Sequence, residues 1–361
     1  MRIGIDYREA VREKRAGKGI VVFELVQRLK DVIKDDEVVL YSNIDFDITG
    51  WPKNFSQKII KLPDVFYHLR MTWEIWFGGL DRYLSLTSFL APALAMSDKS
   101  IIMVHDMVAF LPEFSKQHNQ KAIWLERLSL GWAVKFVRSI IVPSRATADD
   151  LERILPASQD KIQLIFEGFN YYDTPVPELG IDRYGDYIFF VSTLEPRKNL
   201  IRLFKVVNRL RREKGWAGKV LLAGKKGWFY SELFNLVKEL ELQDVIVFLG
   251  YVTDEEKFEY MRGAKLVYSV SLYEGFGLPV LEGMASGVPV ITSNVSSMPE
   301  VAAEAAEVVD PLSEEEIFKG VNRILENREY ADKLVATGKK QVKQFTWEKM
   351  AREVFDLISK N

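Results

Sequence analysis

The chain has 361 residues, 48% of them hydrophobic, a net charge of −2 and no cysteine. That length and apolar content suit two globular domains with sizeable cores, and the missing cysteine excludes disulfides and thiolate chemistry. Residues 1–170 hold 23 basic and 22 acidic side chains and the remainder 26 and 29, so neither half offers a general nucleic-acid surface.

In the first half, apolar runs bounded by turn residues predict strands at 2–7, 37–41, 57–62, 82–86, 100–105, 139–143 and 161–166. Several are near-continuous Val, Ile and Leu, the pattern of strands covered on both faces. Helical periodicity lies between some of them, at 19–30 and 121–137. A stretch rich in Pro and Gly, 171–185, reads as a linker and includes Pro175 and Pro177. The second half repeats the plan, with strands at 187–192, 219–223, 245–249, 266–270, 288–292 and 307–309. Its helices are expected at 200–213, 231–239, 254–261, 279–285 and 313–326. Ser297-Met298-Pro299-Glu300 has the form of a capping box opening a short helix. Alternating strands and helices mean parallel sheets with helices on both faces, one sheet per half. In such sheets ligands bind beyond the carboxyl ends of the strands, so two facing sheets would frame a cleft.

The N-terminus opens directly on a strand, RIGIDY, and no apolar run approaches the ~20 residues of a membrane span. The expectation is a soluble, cytoplasmic protein, with peripheral contact at the inner membrane face left open. His68, His105 and His118 are widely spaced and do not form a zinc pattern.

The segment SLYEGFGLPVLEGMASGVPVIT, residues 271–292, carries the most chemistry. Glu274 stands at a strand's carboxyl end, and Gly275 and Gly277 follow it, where no Cβ hinders close approach of a ligand. Pro279 suits a first helical position, and the helix start offers N–H groups and a positive dipole end to a diphosphate. Glu282 is expected in the first helical turn. There it would accept from ribose hydroxyls or simply favour the helix terminus. The alternative for the segment is a plain glycine turn with a helix-favouring glutamate.

Arg197 and Lys198 follow the strand 187–192. Cations before a helix start are unfavourable beside its positive end unless an anion binds there, so a diphosphate is preferred to a solvated basic pair. Gly17 and Gly19, in EKRAGKGIVV, form a glycine loop that could bring amides to a phosphate or an acceptor; a flexible loop is the rival reading. His105 and Asp106 close the strand 100–105, and a structural or a site histidine fits that position. The acidic triplet 314–316 reads as a favourable first helical turn. For the aromatic stretch FYHLRMTWEIWF, residues 66–77, contact with a membrane or hydrophobic acceptor competes with a buried or interdomain helix. The core preference of aromatics favours the second.

E-G-F-G-L-P-x-x-E followed by G-V-P-V-I resembles the signature of family 4 glycosyltransferases, retaining enzymes of the GT-B fold. FVSTLEPRKNL (190–200), GYVTDEEKF (250–258), VHDMVAFLP (104–112) and the final helix TWEKMAREVFDLISK (346–360) extend the resemblance over nearly the whole chain. It implies an N-terminal acceptor-side domain, 1–172, a nucleotide-sugar domain, 173–345, and a helix, 346–361, packing back on the first. It implies that Arg197 and Lys198 hold the donor diphosphate and that Glu274, with Gly275, Phe276, Gly277 and Leu278, fixes the sugar. Glu282 would take the ribose, Tyr251 and Val252 the base, and His105 would lie beside the donor sugar. No divalent metal and no cofactor beyond the nucleotide-diphosphate sugar are implied. Asp45-Phe46-Asp47 spells the D-x-D of metal-dependent transferases of another fold but falls in an early loop and reads as a solvated turn. The expected reaction is hexose transfer to a saccharide or lipid-linked acceptor in cell-surface glycan synthesis, with GDP-mannose ahead of UDP sugars. A sugar-nucleotide epimerase of the same fold, a two-lobed binding protein and a catalytically dead regulatory subunit are the rivals.

Overall fold

The computed structural model of the chain describes residues 1–12, 17–115, 119–173, 179–225, 227 and 230–360. Residues 13–16 of the glycine segment, His118, Pro175 and Pro177 lie outside the described residues. The chain divides into two compact units, Met1–Gly168 with Phe345–Asn361, and Phe169–Gln344.

The N-terminal unit alternates strand and helix: β1 (Arg2–Asp6), α1 (Gly17–Val32), β2 (Glu37–Ser42), β3 (Phe55–Ile59), α2 (Asp64–Phe77), β4 (Arg82–Ser85), α3 (Leu90–Ala95), β5 (Ser100–Met103), α4 (Pro112–Ser115), α5 (Gln120–Ala133), β6 (Ser139–Val142), α6 (Arg145–Ile154) and β7 (Ile162–Leu164). Its sheet runs in the order β3-β2-β1-β4-β5-β6-β7, and every pairing is parallel. The two-residue period of a strand sends alternate side chains to opposite faces. Val38 and Leu40 join one core with α1, while Val39 and Tyr41 join another with α2 and α3. A third core packs Ile140 and Val142 against α5 and α6. The near-continuous apolar runs therefore arise from burial of both faces.

The second unit holds β8 (Tyr187–Val191), α7 (Leu200–Lys214), β9 (Lys219–Ala223), α8 (Tyr230–Glu239), β10 (Ile246–Gly250), α9 (Asp254–Arg262), β11 (Leu266–Ser269), α10 (Leu278–Ala285), β12 (Val290–Ser293), α11 (Met298–Ala302), β13 (Glu307–Val309), α12 (Glu314–Glu326) and α13 (Arg328–Gln341). Its parallel sheet has the order β10-β9-β8-β11-β12-β13. Ile188, Val220 and Tyr268 pack against α7 and α12 in one core. Ser313 caps α12 by accepting from the Glu316 amide, and three glutamates fill its first turn, as the sequence implies.

The last helix, α14 (Trp347–Ser359), belongs to the N-terminal unit. Thr346 caps it by accepting from the Lys349 amide, and Trp347, Met350, Ala351, Val354, Leu357 and Ile358 form one buried stripe in the core shared with α1. Gly168 makes this seating possible. A Cβ there would stand 2.4 Å from the Trp347 nitrogen, closer than real contacts allow.

Two expectations need correction here. Gly17 and Gly19 are residues of the first turn of α1, not a loop, and Gly19 is buried. The helix 66–77 is neither wholly buried nor polar on its outer side, because Phe66, Trp73, Trp76 and Phe77 are each at least 43% exposed. Asp45 and Asp47 do lie in a solvated turn; Asp45 pairs with Lys61 at 2.8 Å, and Asp47 accepts from the Thr49 amide at 2.7 Å.

Trp347 is 3% exposed, so Trp347→Ala should cost about 3–5 kcal/mol of N-terminal-unit stability. Urea unfolding should show the loss in that unit's transition, with the second unit's midpoint unchanged.

Candidate functional site

In the second sheet, chain order runs outward from β8 through β9 to β10 on one side, and from β11 through β12 to β13 on the other. Between β8 and β11 the connections leave in opposite directions, the place where sheets of this kind bind ligands beyond the strands' carboxyl ends. Arg197 and Lys198 follow β8, and Glu274 follows β11. The residues singled out in two distant sequence segments thus meet at the sheet's switch point.

Local structure explains how they meet. Pro196–Lys198 forms one 3-10 turn, closed by Asn199 at φ 61°. Asparagine tolerates this left-handed conformation better than most residues, and its side-chain amide is anchored by donating to the Pro311 carbonyl at 2.7 Å. The Leu272 amide donates to the Arg197 carbonyl at 2.7 Å, which joins the two loops.

Glu274 is the hub of the cluster. Arg197 Nη1 donates to its Oε2 at 2.7 Å, and Lys198 Nζ and Ser271 Oγ donate to its Oε1, the latter at 2.7 Å. Arg197 also meets Glu195 through Nε at 2.6 Å. Lys198 is 5% exposed. Of the expected pair of cations, Lys198 is therefore buried and Arg197 partly buried, and the pair is internally compensated, two positive groups against two carboxylates. Burial pushes the Glu274 carboxyl up, but the charges of Lys198 and Arg197 and their hydrogen bonds outweigh it and hold it at about 2. Burial pulls Lys198 below its ordinary value, an effect that the attraction of Glu274 only partly offsets.

The backbone after Glu274 is held by two serines. Ser297 Oγ lies 3.0 Å from the Glu274 carbonyl oxygen and 2.7 Å from that of Phe276, and Ser296 Oγ accepts from the Glu274 amide at 3.2 Å. This overturns the capping box expected at Ser297: its side chain makes no cap bond to α11 and faces the glycine loop instead. Gly275, Phe276 and Gly277 lead into α10, with Gly277 at φ 114°; a Cβ there would stand 3.0 Å from Met298 Sδ. Leu278 is the first residue of α10 and Pro279 lies in its opening positions. Pro279 has no N–H and the Val280 amide donates to the Gly277 carbonyl at 3.0 Å, so the helix start presents the Leu278 amide and its positive dipole end to an anion. Glu282 departs from expectation, since no acidic residue falls in the first turn of α10. It sits one turn deeper, where Lys257 Nζ of α9 donates to its Oε1 at 2.6 Å. Burial pulls Lys257 down, but Glu282 and Asp254 raise it well above its ordinary value. The Tyr251–Val252 turn feeds α9, and Tyr251 is 67% exposed. The salt bridge thereby ties the segment expected to bind the base to the helix expected to bind ribose.

In the N-terminal unit, His105 lies beyond the end of β5 rather than in it. Its Nε2 donates to the Leu86 carbonyl at 2.8 Å, and its Nδ1 lies 2.9 Å from Glu167 Oε1. Both ring nitrogens are thereby engaged, which fixes the orientation of the ring. Next to the switch point of this sheet, Arg8 grips the buried Asp6 with two bonds, at 2.9 and 3.0 Å, and its guanidinium lies 4.0 Å from the Tyr67 ring centroid. Burial and then the charge of Arg8 push His68 down to about 4, so it is neutral at pH 7.

Sequence reasoning passed over Glu195, Ser271, Ser296, Lys257 and Glu167. Ser271 and Lys257 stood inside the quoted motifs, so proximity was a usable signal. Glu167 carried none, because its partner is 62 positions away.

Residues 176–341 match the family model described as "Glycosyl transferases group 1". Over this segment, within the second unit, the chain is similar to the family 4 glycosyltransferases. Over 163 residues it is 39% identical to O-antigen chain mannosyltransferase B of Escherichia coli, a match covering 45% of this chain and 42% of that protein. The chain spans about half the length of the first curated relatives it matches. Among solved structures, sucrose-phosphate synthase from Thermosynechococcus elongatus superposes with TM-score 0.78 at 19% identity, covering 99% of this chain and 98% of that one. Anabaena Alr3699/HepE, solved in complex with UDP and glucose, does so with TM-score 0.75 at 16% identity, covering 99% of each. The fold is GT-B.

The folded Glu274 carboxyl titrates below its ordinary 4.5, at about 2. Its stabilising contribution is therefore complete above pH 4.5 and is lost as pH falls through 2. In Glu274→Gln, the fall in melting temperature between pH 4.5 and 2 should be shallower than in the parent chain; parallel curves would show that the cluster does not hold the carboxylate ionised.

Proposed function

We propose that the chain is a metal-independent, retaining hexosyltransferase that moves a sugar from a nucleotide-diphosphate donor, GDP-mannose before UDP sugars, to a saccharide or lipid-linked acceptor in cell-surface glycan synthesis. The observation that carries this reading is the convergence of Arg197, Lys198, Glu274 and the α10 N-terminus at one switch point. Similarity to an O-antigen mannosyltransferase supports mannose as the sugar.

Each group has a chemical task in this reading. Breaking the glycosidic bond to the diphosphate builds negative charge on phosphate oxygens. Arg197, Lys198 and the N–H groups from Gly275 to Leu278 are fixed in advance by Glu274, Glu195 and the two serines, so they stabilise that charge without reorganising as it develops. These cations supply the positive charge that a divalent ion would otherwise bring. Glu274 anchors the cations on one side and orients sugar hydroxyls on the other. Glu282, steadied by Lys257, accepts from the ribose, and the backbone of Tyr251 and Val252 meets the base. His105 serves as a fixed polar group rather than a base, since the Leu86 carbonyl and Glu167 already engage both of its ring nitrogens. Gly17 and Gly19 supply first-turn amides of α1 rather than a loop. No further cofactor enters the scheme.

Calorimetric titration with GDP and UDP tests the assignment. Arg197→Ala and Lys198→Ala should each weaken nucleoside-diphosphate binding about 10- to 100-fold, a charge-assisted hydrogen bond being worth about 1.5–3 kcal/mol; unchanged affinity would remove both from the donor site. With donor and a mannosylated acceptor, the product should carry the donor's anomeric configuration by proton NMR, and EDTA should leave the rate unaltered. Consumption of donor without an acceptor would point instead to an epimerase.

A further inference from the structure

Helix α2 is apolar around most of its circumference, yet only one side is covered. Tyr67, Met71 and Ile75 enter the core beneath it. Val65, Phe66, Leu69, Trp73, Trp76 and Phe77 are 43% to 67% exposed. At 3.6 residues per turn these six fall within about 120° of arc, so they form one continuous outward face. Helix α5 repeats the arrangement. Ile123, Leu130 and Ala133 are buried, whereas Trp124, Leu125, Leu128 and Trp132 are 42% to 63% exposed and share about 100° of arc. Helix α3 packs against both helices. Trp76 Nε1 donates to the Ala95 carbonyl at 2.8 Å, and Leu94 and Met96 are themselves exposed beside that joint. Soluble proteins seldom leave so large a contiguous apolar surface without a partner.

We infer that this face docks on the surface of an anionic lipid bilayer. Three properties single out a bilayer. The exposed set is rich in tryptophan, whose amphipathic ring prefers the headgroup level of a membrane. Cations lie against the rings, with Arg70 4.2 Å from the Trp73 centroid and Lys135 4.7 Å from that of Trp132. Between residues 120 and 138 the chain carries Lys121, Arg127, Lys135 and Arg138 against a single acid, Glu126. Arg127 and Arg138 donate to backbone carbonyls, bonds that do not cancel their charge. Such a fringe of positive charge attracts acidic headgroups. A second copy of the chain fits less well, since a two-fold interface would set this cationic border against itself. No described helix is long and apolar enough to cross a membrane, so the contact is one of lying on the surface.

Flotation of the full chain with vesicles tests this. With equimolar phosphatidylglycerol and phosphatidylcholine, the chain should float with the lipid, and its tryptophan emission should shift to the blue. Pure phosphatidylcholine should bind it more weakly. The combined substitutions Phe66→Ser, Trp73→Ser, Trp124→Ser and Leu128→Ser replace exposed side chains, so the melting temperature should hold while partitioning falls at least about tenfold. Lys121→Glu with Lys135→Glu should weaken binding to the anionic vesicles only. Parent chain left unbound by anionic vesicles, or serine variants that float like the parent, would overturn the inference. So would a dimer in sedimentation velocity that the serine substitutions abolish while vesicles bind nothing. Flotation reads binding without turnover, so its failure leaves the donor-site reading standing.

Discussion

A buried carboxylate cannot remain ionised without nearby positive charge, and Glu274 meets that demand with Arg197 and Lys198. This interaction crosses from the connection after β11 to the connection after β8 and closes the switch point of the second sheet into one polar cluster. The surrounding geometry follows from it. The 3-10 turn and left-handed Asn199 present the cations, and Ser271, Ser296 and Ser297 fix the other strand's loop. Gly277 then admits the chain into α10. Two positive groups balance two carboxylates, so the cluster tolerates burial. Yet a buried ion pair rarely stabilises a fold more than well-packed apolar residues of the same volume would. The proposed use, binding a donor diphosphate, is the better account of its presence.

That use depends on preorganisation. Cations held at fixed distances by carboxylates need not move when a phosphate ester departs, and a helix terminus beside them adds N–H groups already aligned. Lys257 and Glu282 do the same a short way along α10, where a salt bridge at 2.6 Å couples that helix to α9. The N-terminal unit has its own fixed polar groups, the His105–Glu167 pair and the Asp6–Arg8 pair, each at or just past the carboxyl end of a strand.

Much of the architecture was legible because it rests on local and periodic signals. Runs such as those at Val38–Leu40 and Ile101–Met103 are apolar on both pleats, which only a doubly covered parallel sheet satisfies. The final helix was expected from the resemblance of residues 346–360 to the family's last helix, and its buried stripe runs from Trp347 to Ile358. Glu274, Arg197 and Lys198 could be singled out because glycine, proline and charge cluster beside predicted strand ends. What stayed illegible depends on partners far away in the chain. Ser297 has the spacing of a cap, yet the nearby Glu274 and Phe276 carbonyls claim its hydroxyl. Gly17 and Gly19 look like a loop because glycine disfavours helices, but the packed helix that follows extends over them. The aromatic content of 66–77 predicted burial, and only the placement of α2 on the sheet reveals that one of its two apolar faces is exposed.

We propose that the cluster around Glu274 receives the diphosphate of a sugar nucleotide. A crystal structure of the chain grown with GDP-mannose tests it most directly. Phosphate oxygens should lie within hydrogen-bond distance of Arg197 and Lys198 and of the amides leading into α10, with Glu274 still bonded to both cations. A nucleotide bound elsewhere, with this cluster empty, would contradict it.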